Sequence, residues 1–139
     1  MGGAVDLHSH TTASDGTLGP AELVREAVRR GVRVLAVTDH DSTEGLALAM
    51  AEAARHPPLH IVPGIEINCD IEGAEIHILG YCMAYEVAWF RDFCRRQREE
   101  RRARVYRMAD RLAELGMPID PEAVFAIVRE GSAGRPHVA

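Results

Sequence analysis

Apolar positions in the first half of the chain fall alternately into short runs and helical stripes. Ala4 to Leu7 is a brief apolar run broken by Asp6, and it predicts a first strand. Pro20 suits the first position of a helix and Gly31 its end. Between them Leu23, Val24, Ala27 and Val28 share one face, with Arg25, Glu26, Arg29 and Arg30 on the wet side. Val32 to Val37 is short, mostly apolar and β-branched, the pattern of a strand buried on both faces. Strand, helix and strand in this order predict a β-α-β unit and a parallel sheet. An alanine-rich helix follows to about Arg55 and is closed by His56-Pro57-Pro58, because proline cannot continue it. Leu59 to Ile67 predicts a third strand and Ala74 to Tyr81 a fourth, with Glu72-Gly73 turning the fourth back as a hairpin.

The pattern changes after Tyr85. Glu86 to Leu115 reads as one long arginine-rich helix, with Trp89, Phe93, Val105, Met108 and Leu112 as its apolar contacts. Gly116 ends it, and Asp120-Pro121 supplies the cap and first-turn proline of a second helix running to Glu130. Pro136 to Ala139 looks like a further helix beginning. The spans are therefore 1–85, an α/β region; 86–132, a helical insertion; and 133–139, a return to the first region.

Length allows one domain with a real core, but 139 residues are few for a closed α/β barrel, which typically needs ~250. No apolar run reaches membrane-spanning length and no charged leader precedes an apolar stretch, so the expected setting is cytoplasmic, with no membrane partner. Three cysteines (Cys69, Cys82, Cys94) lack metal-type pairing and are expected as buried thiols in a reducing compartment. The net charge of −5 carries no general nucleic-acid signature. It is uneven, however: Arg91 to Arg111 holds nine arginines against four acids. The chain has no lysine, which excludes P-loop lysines, Schiff bases and carbamylated-lysine metal bridges.

The candidate chemistry lies at the strand ends. His8 and His10 stand two apart at the end of the first strand, so both rings face the same way. Asp15 follows in the next loop. His40 follows the second strand, Glu66 and His77 lie within the third and fourth, and His137 comes after the insertion. Imidazoles with carboxylates suit a divalent metal of the zinc, manganese or iron type, and a carboxylate can bridge two such ions. His56 and His60 receive no role.

Asp6-Leu7-His8-Ser9-His10, Ser14-Asp15-Gly16, Thr38-Asp39-His40-Asp41, Pro63-Gly64-Ile65-Glu66-Ile67 and His77-Ile78-Leu79-Gly80, in that order, resemble the successive motifs of the PHP (polymerase and histidinol phosphatase) family. Gly134-Arg135-Pro136-His137-Val138-Ala139 resembles the stand-alone phosphoesterase branch, which includes 3′,5′-nucleoside bisphosphate phosphatases and short-RNA 5′-exonucleases. The resemblance implies an α/β fold that is part of a distorted (β/α)7 barrel with a helical insertion. It implies two or three divalent ions (manganese, zinc, iron or magnesium), with His8, His10 and Glu66 on the first, Glu66, His77 and His137 on the second, and Asp15 and His40 on the third. Arg135 is then placed to meet a substrate phosphate. The implied reaction is hydrolysis of terminal phosphates of nucleotides or short oligonucleotides, with a metal-bound hydroxide as nucleophile and no protein nucleophile.

The family's late Asp-x-His motif has no counterpart before Ala139. The expectation is an N-terminal portion of such a protein, with impaired activity, weak first and third metals, and an uncovered sheet that drives self-association. Four other readings compete. Asp39-x-Asp41-x-Thr43 formally matches the aspartyl nucleophile of haloacid-dehalogenase-type phosphatases. Amidohydrolases also open on His-x-His, but lack of lysine removes their usual bridge. A non-catalytic metal-binding or structural PHP module and a histidinol-phosphatase-like enzyme stay open.

Overall fold

The computed structural model describes residues 4–71, 74–128 and 131–138. It is a mixed α/β structure with a four-stranded sheet in the order β1-β2-β3-β4 and four helices. Strands β1 (Ala4–Asp6), β2 (Val32–Val37) and β3 (His60–Ile71) run parallel, and β4 (Ala74–Tyr81) returns antiparallel on β3. The β-α-β reading and the hairpin both hold. The Glu72-Gly73 turn lies outside the described residues.

Helix α1 (Pro20–Arg29) begins where expected: Pro20 has no amide hydrogen to leave unpaired, and Glu22 accepts a hydrogen bond from Gly19 N at 2.8 Å. Gly31, at φ +75°, provides the left-handed residue that ends it. Helix α2 (Leu46–Ala53) is shorter than expected at its C-terminus. Val24, Ala27, Leu35, Val37, Leu46, Ala49, Ala53 and Leu59 form the core between α1, α2 and the sheet. Only the second half of β2 is buried on both faces. Arg33 is exposed and Val34 only half-buried, because the helices cover the sheet toward the C-terminal ends of its strands.

Helix α3 (Ala88–Glu114) is the predicted long helix, and α4 (Pro121–Val128) packs back on it through Val105, Val124, Phe125 and Val128. Residues 129–130, the predicted end of α4, lie outside the described residues. Phe90 and Cys94 anchor the first turns of α3 on Ile65 of β3. Trp89, expected as an apolar contact, is instead exposed, and its neighbour Phe90 faces the sheet. After α4 the chain makes a 3-10 turn (Arg135–His137) rather than the start of an α-helix. Among the thiols only Cys94 is buried, and burial raises its pKa to about 11; Cys82 is exposed, against expectation. Among the described residues no helix is long and apolar enough to cross a membrane.

Candidate metal centre

The centre forms where the parallel strands end. Strand β1 stops at Asp6, yet the alternation of side chains continues through the next residues because Ser9 remains tied to β2. Its hydroxyl donates to Ala36 O at 2.6 Å, and its carbonyl accepts from Thr38 N at 2.8 Å. With Ser9 turned inward, His8 and His10 project together toward β3. A parallel bridge pairs His40 with Glu66, extending the β2–β3 register beyond the strands and setting His40 beside the Glu66 carboxylate. On β4, His77 lies diagonally from Glu66, whose direct partner is Leu79, so both face the same side of the hairpin.

Glu66 is where these directions meet. Its Oε2 lies 2.9 Å from His8 Nε2, 3.1 Å from His10 Nε2 and 3.5 Å from His40 Nδ1, while Oε1 lies 2.6 Å from His77 Nδ1. Asp15 is 3.6 Å from His10 Nδ1 and 3.5 Å from His40 Nε2. Three overlapping groups bring ligand atoms within 4.8 Å of one another: His8, His10 and Glu66; His10, Asp15 and His40; His40, Glu66 and His77. Six of the seven expected ligand residues thus meet at one place. The seventh, His137, stands apart from these groups in the 3-10 turn, where its Nδ1 accepts a hydrogen bond from Gly134 N at 3.0 Å. The Arg135 side chain lies outside the described residues.

The electrostatics favour a bound cation. Burial opposes ionisation of Glu66, yet hydrogen bonds from His8 and His77 and the nearby His40 hold its pKa below the usual value. His40 is pushed down to about 4, first by burial and then by the positive charge of Arg101. At neutral pH this ring is the neutral imidazole that a metal requires. Its Nδ1 is buried without a hydrogen-bond partner. A buried imidazole nitrogen that faces a carboxylate without a hydrogen bond fits a divalent ion and is costly without one.

Residues beyond the expected set build the walls. Asp39, fully buried, accepts from Thr11 N and Ser14 Oγ on one oxygen and from Thr11 Oγ on the other, each at 2.7 Å. It fixes the loop that presents Asp15. Asp41, at φ +49°, accepts from Asn68 N at 3.1 Å and from Arg101 Nε at 2.5 Å. Both carboxylates are consumed by these bonds, so the aspartyl-nucleophile reading of Asp39-x-Asp41-x-Thr43 fails. Arg101 itself is buried and also donates to Ala133 O at 3.2 Å, joining α3, the β2–α2 loop and the returning segment. Its sequence signal is its phase: it falls seven residues after Cys94 and four before Val105, on the buried stripe of α3.

Gly16 explains its place in the Ser14-Asp15-Gly16 motif. A Cβ there would lie 2.3 Å from His10 O and 2.8 Å from Thr11 N, both backbone atoms. Gly16→Ala is therefore expected to push Asp15 away from His10 and His40 and to destabilise the fold by about 1–3 kcal/mol. Urea denaturation and a metal titration check this; unchanged midpoint and affinity would show that the loop is not held as described.

Comparison with known proteins agrees with this geometry. The chain is 42% identical over 135 residues to the 5′-3′ exoribonuclease Rnm of Salmonella typhimurium, covering 96% of this chain and 46% of that protein. It is 42% identical over 76 residues to the 3′,5′-nucleoside bisphosphate phosphatase of Chromobacterium violaceum, covering 55% and 26% of the two chains. A solved Bifidobacterium adolescentis protein, assigned provisionally as a metal-dependent phosphoesterase, superposes with a TM-score of 0.83 at 33% identity, covering 96% of this chain and 47% of that one. The chain thus spans about half the length of the exoribonuclease and of the solved neighbour. A sequence profile of the PHP domain matches residues 6–105, well over half of the chain, and these residues carry all the ligand groups that meet at Glu66. The chain belongs to the PHP domain family.

Proposed function

We propose that the protein is a metal-dependent phosphoesterase that hydrolyses terminal phosphates of nucleotides such as nucleoside 3′,5′-bisphosphates or short oligonucleotides. The observation that carries this reading is the convergence of four imidazoles on the single buried carboxylate of Glu66. His8, His10 and Glu66 would hold one divalent ion, Glu66, His77 and His137 a second, and Asp15 and His40 a third, so that each imidazole serves one ion. His137, with Nδ1 engaged by Gly134, would join through Nε2. Manganese, zinc, iron and magnesium are all compatible with this donor set. Bound there, such ions supply Lewis acidity toward a phosphate oxygen and lower the pKa of water.

The chain's own residues do the positioning. Asp39 fixes the Asp15 loop, and Glu66 orients four rings at once. Arg101 places positive charge beside a cavity of about 150 Å³ lined also by Asp15, His40 and His77, which would receive the substrate phosphate. Residues 86–132 act as a helical cap over residues 1–85, with 133–139 returning to the centre. In this reading β1 to β4 are part of a distorted (β/α)7 barrel, with the metal centre at the C-terminal ends of its parallel strands. Val5 and Leu7, on and just beyond β1, and Ile76 and Ile78 on β4 leave apolar surface exposed at the two edges of the sheet, which favours self-association of the isolated chain.

Phosphate release in the presence of manganese tests the reading. Adenosine 3′,5′-bisphosphate is expected to turn over faster than histidinol phosphate. The reverse preference would make the protein histidinol-phosphatase-like, and bound metal without turnover of either would make it a non-catalytic module.

A further inference from the structure

We propose that a groove along α3, leading away from the metal centre, binds the phosphodiester backbone of a single-stranded oligonucleotide beyond its terminal nucleotide. This rests on the phosphoesterase reading above and specifies its substrate. The groove has a volume of about 570 Å³ and is lined by Arg101, Arg104, Arg107 and Arg111, with Asn68 on the opposite wall. Arg101, Arg104 and Met108 also line the smaller cavity at His40 and His77, so the two spaces adjoin across these side chains.

Three observations distinguish this row from an ordinary solvated helix face. First, three of the five other arginines of α3 have different work. Arg95 pairs with Asp92 and Glu99, Arg98 pairs with Glu44, and Arg102 stacks on Phe125 at 3.9 Å. Second, the groove holds four arginines against two carboxylates, Asp41 and Glu100, and Asp41 is already neutralised by Arg101. Arg111 reaches Glu114 at 2.5 Å, an exposed pair that an incoming phosphate can replace at small cost. Third, two buried polar atoms on its walls, Arg101 Nη2 and Asn68 Oδ1, have no hydrogen-bond partner. The first is a charge-bearing donor suited to a phosphate oxygen, and the second is an acceptor suited to a hydroxyl or amino group.

Positions 101, 104, 107 and 111 advance along one side of the helix over about 15 Å. A mononucleotide seated at the metal centre ends near Arg101 and Arg104. Only a longer strand reaches Arg107 and Arg111. The groove therefore separates oligonucleotide from mononucleotide recognition, through charge rather than base sequence.

The test is binding of a 5′-phosphorylated, 3′-fluorescein-labelled hexauridylate to the full chain in excess chelator, read by fluorescence anisotropy. Adenosine 3′,5′-bisphosphate serves as competitor. Arg107→Gln/Arg111→Gln, at two exposed positions, is expected to weaken hexauridylate binding about tenfold and to reduce its salt dependence by about one unit of slope. The competition constant of the bisphosphate is expected to change less than twofold, as is hexauridylate binding by the control Arg95→Gln. Equal weakening of both ligands would place these arginines at the first nucleotide, and no weakening would make them a solvated face; either overturns the proposal. So would an equal loss in Arg95→Gln, which would show general charge attraction. Because no metal or turnover is involved, the phosphoesterase reading can fail in the release assay while this difference stands, and the reverse.

Discussion

Replacing Glu66 by glutamine is expected to weaken divalent metal binding by more than about a hundredfold, because even outer-sphere changes at metal sites cost 10–100-fold. Glu66 lies within reach of His8, His10, His40 and His77, and among the described residues two of the three candidate ligand groups contain it. Glutamine keeps the shape and one acceptor oxygen but removes the negative charge that neutralises the ions. The backbone bonds of residue 66 to Asp39 and Asp41 do not depend on its side chain, so the fold is expected to persist. Isothermal titration with manganese, alongside circular dichroism, reads both properties. Affinity within threefold of the parent, in a folded variant, would remove Glu66 from the centre of the account.

Arg101→Ala is expected to destabilise the protein by about 3–5 kcal/mol, the cost of leaving a buried charge without its partner. Asp41 is fully buried, and Arg101 supplies its only charged contact among the described residues. Loss of the guanidinium also frees the Ala133 carbonyl, and with it the link from α3 to the returning segment. A double-mutant cycle with Asp41→Asn separates the pair from general packing: removing both is expected to cost less than the sum of the two by roughly 1 kcal/mol or more. Urea denaturation measures each variant. A change below 1 kcal/mol for Arg101→Ala would mean that α3 is held by its other contacts, Phe90, Cys94 and the Arg98–Glu44 pair, without it.

The candidate ligand residues were legible because strand geometry localises them. Two histidines two apart must share a face, and a histidine following a buried strand must sit at its open end. Their sharing was not legible. His40 was expected with Asp15 alone, but the β2–β3 register, which no residue pattern announces, sets it beside Glu66 as well. The extension of β3 through Asn68 to Ile71 was missed for a related reason. Asn68-Cys69-Asp70 has no apolar run, and antiparallel pairing with Ala74 to His77 keeps it in the sheet.

The arginine helix hid more. Its charges dilute the apolar stripe, so its phase could not be read from the pattern, and Trp89 was chosen where Phe90 is the anchor. The same dilution concealed Arg101 among nine arginines. Once Phe90, Cys94, Val105 and Ala109 fix the buried face, Arg101 is the charged residue on it. Asp39 and Asp41 stood in the motif from the start, but their roles depend on partners 28 and 60 residues distant in sequence, Thr11 and Arg101.

The central claim is that His8 and His10, carried together past the end of β1, close on Glu66 around a divalent ion. Its most direct test is elemental analysis of the chain after loading with manganese and desalting, beside His8→Ala/His10→Ala treated identically. Roughly one ion or more per parent chain is expected, with most of it lost in the double variant. Equal metal content in the two would contradict it.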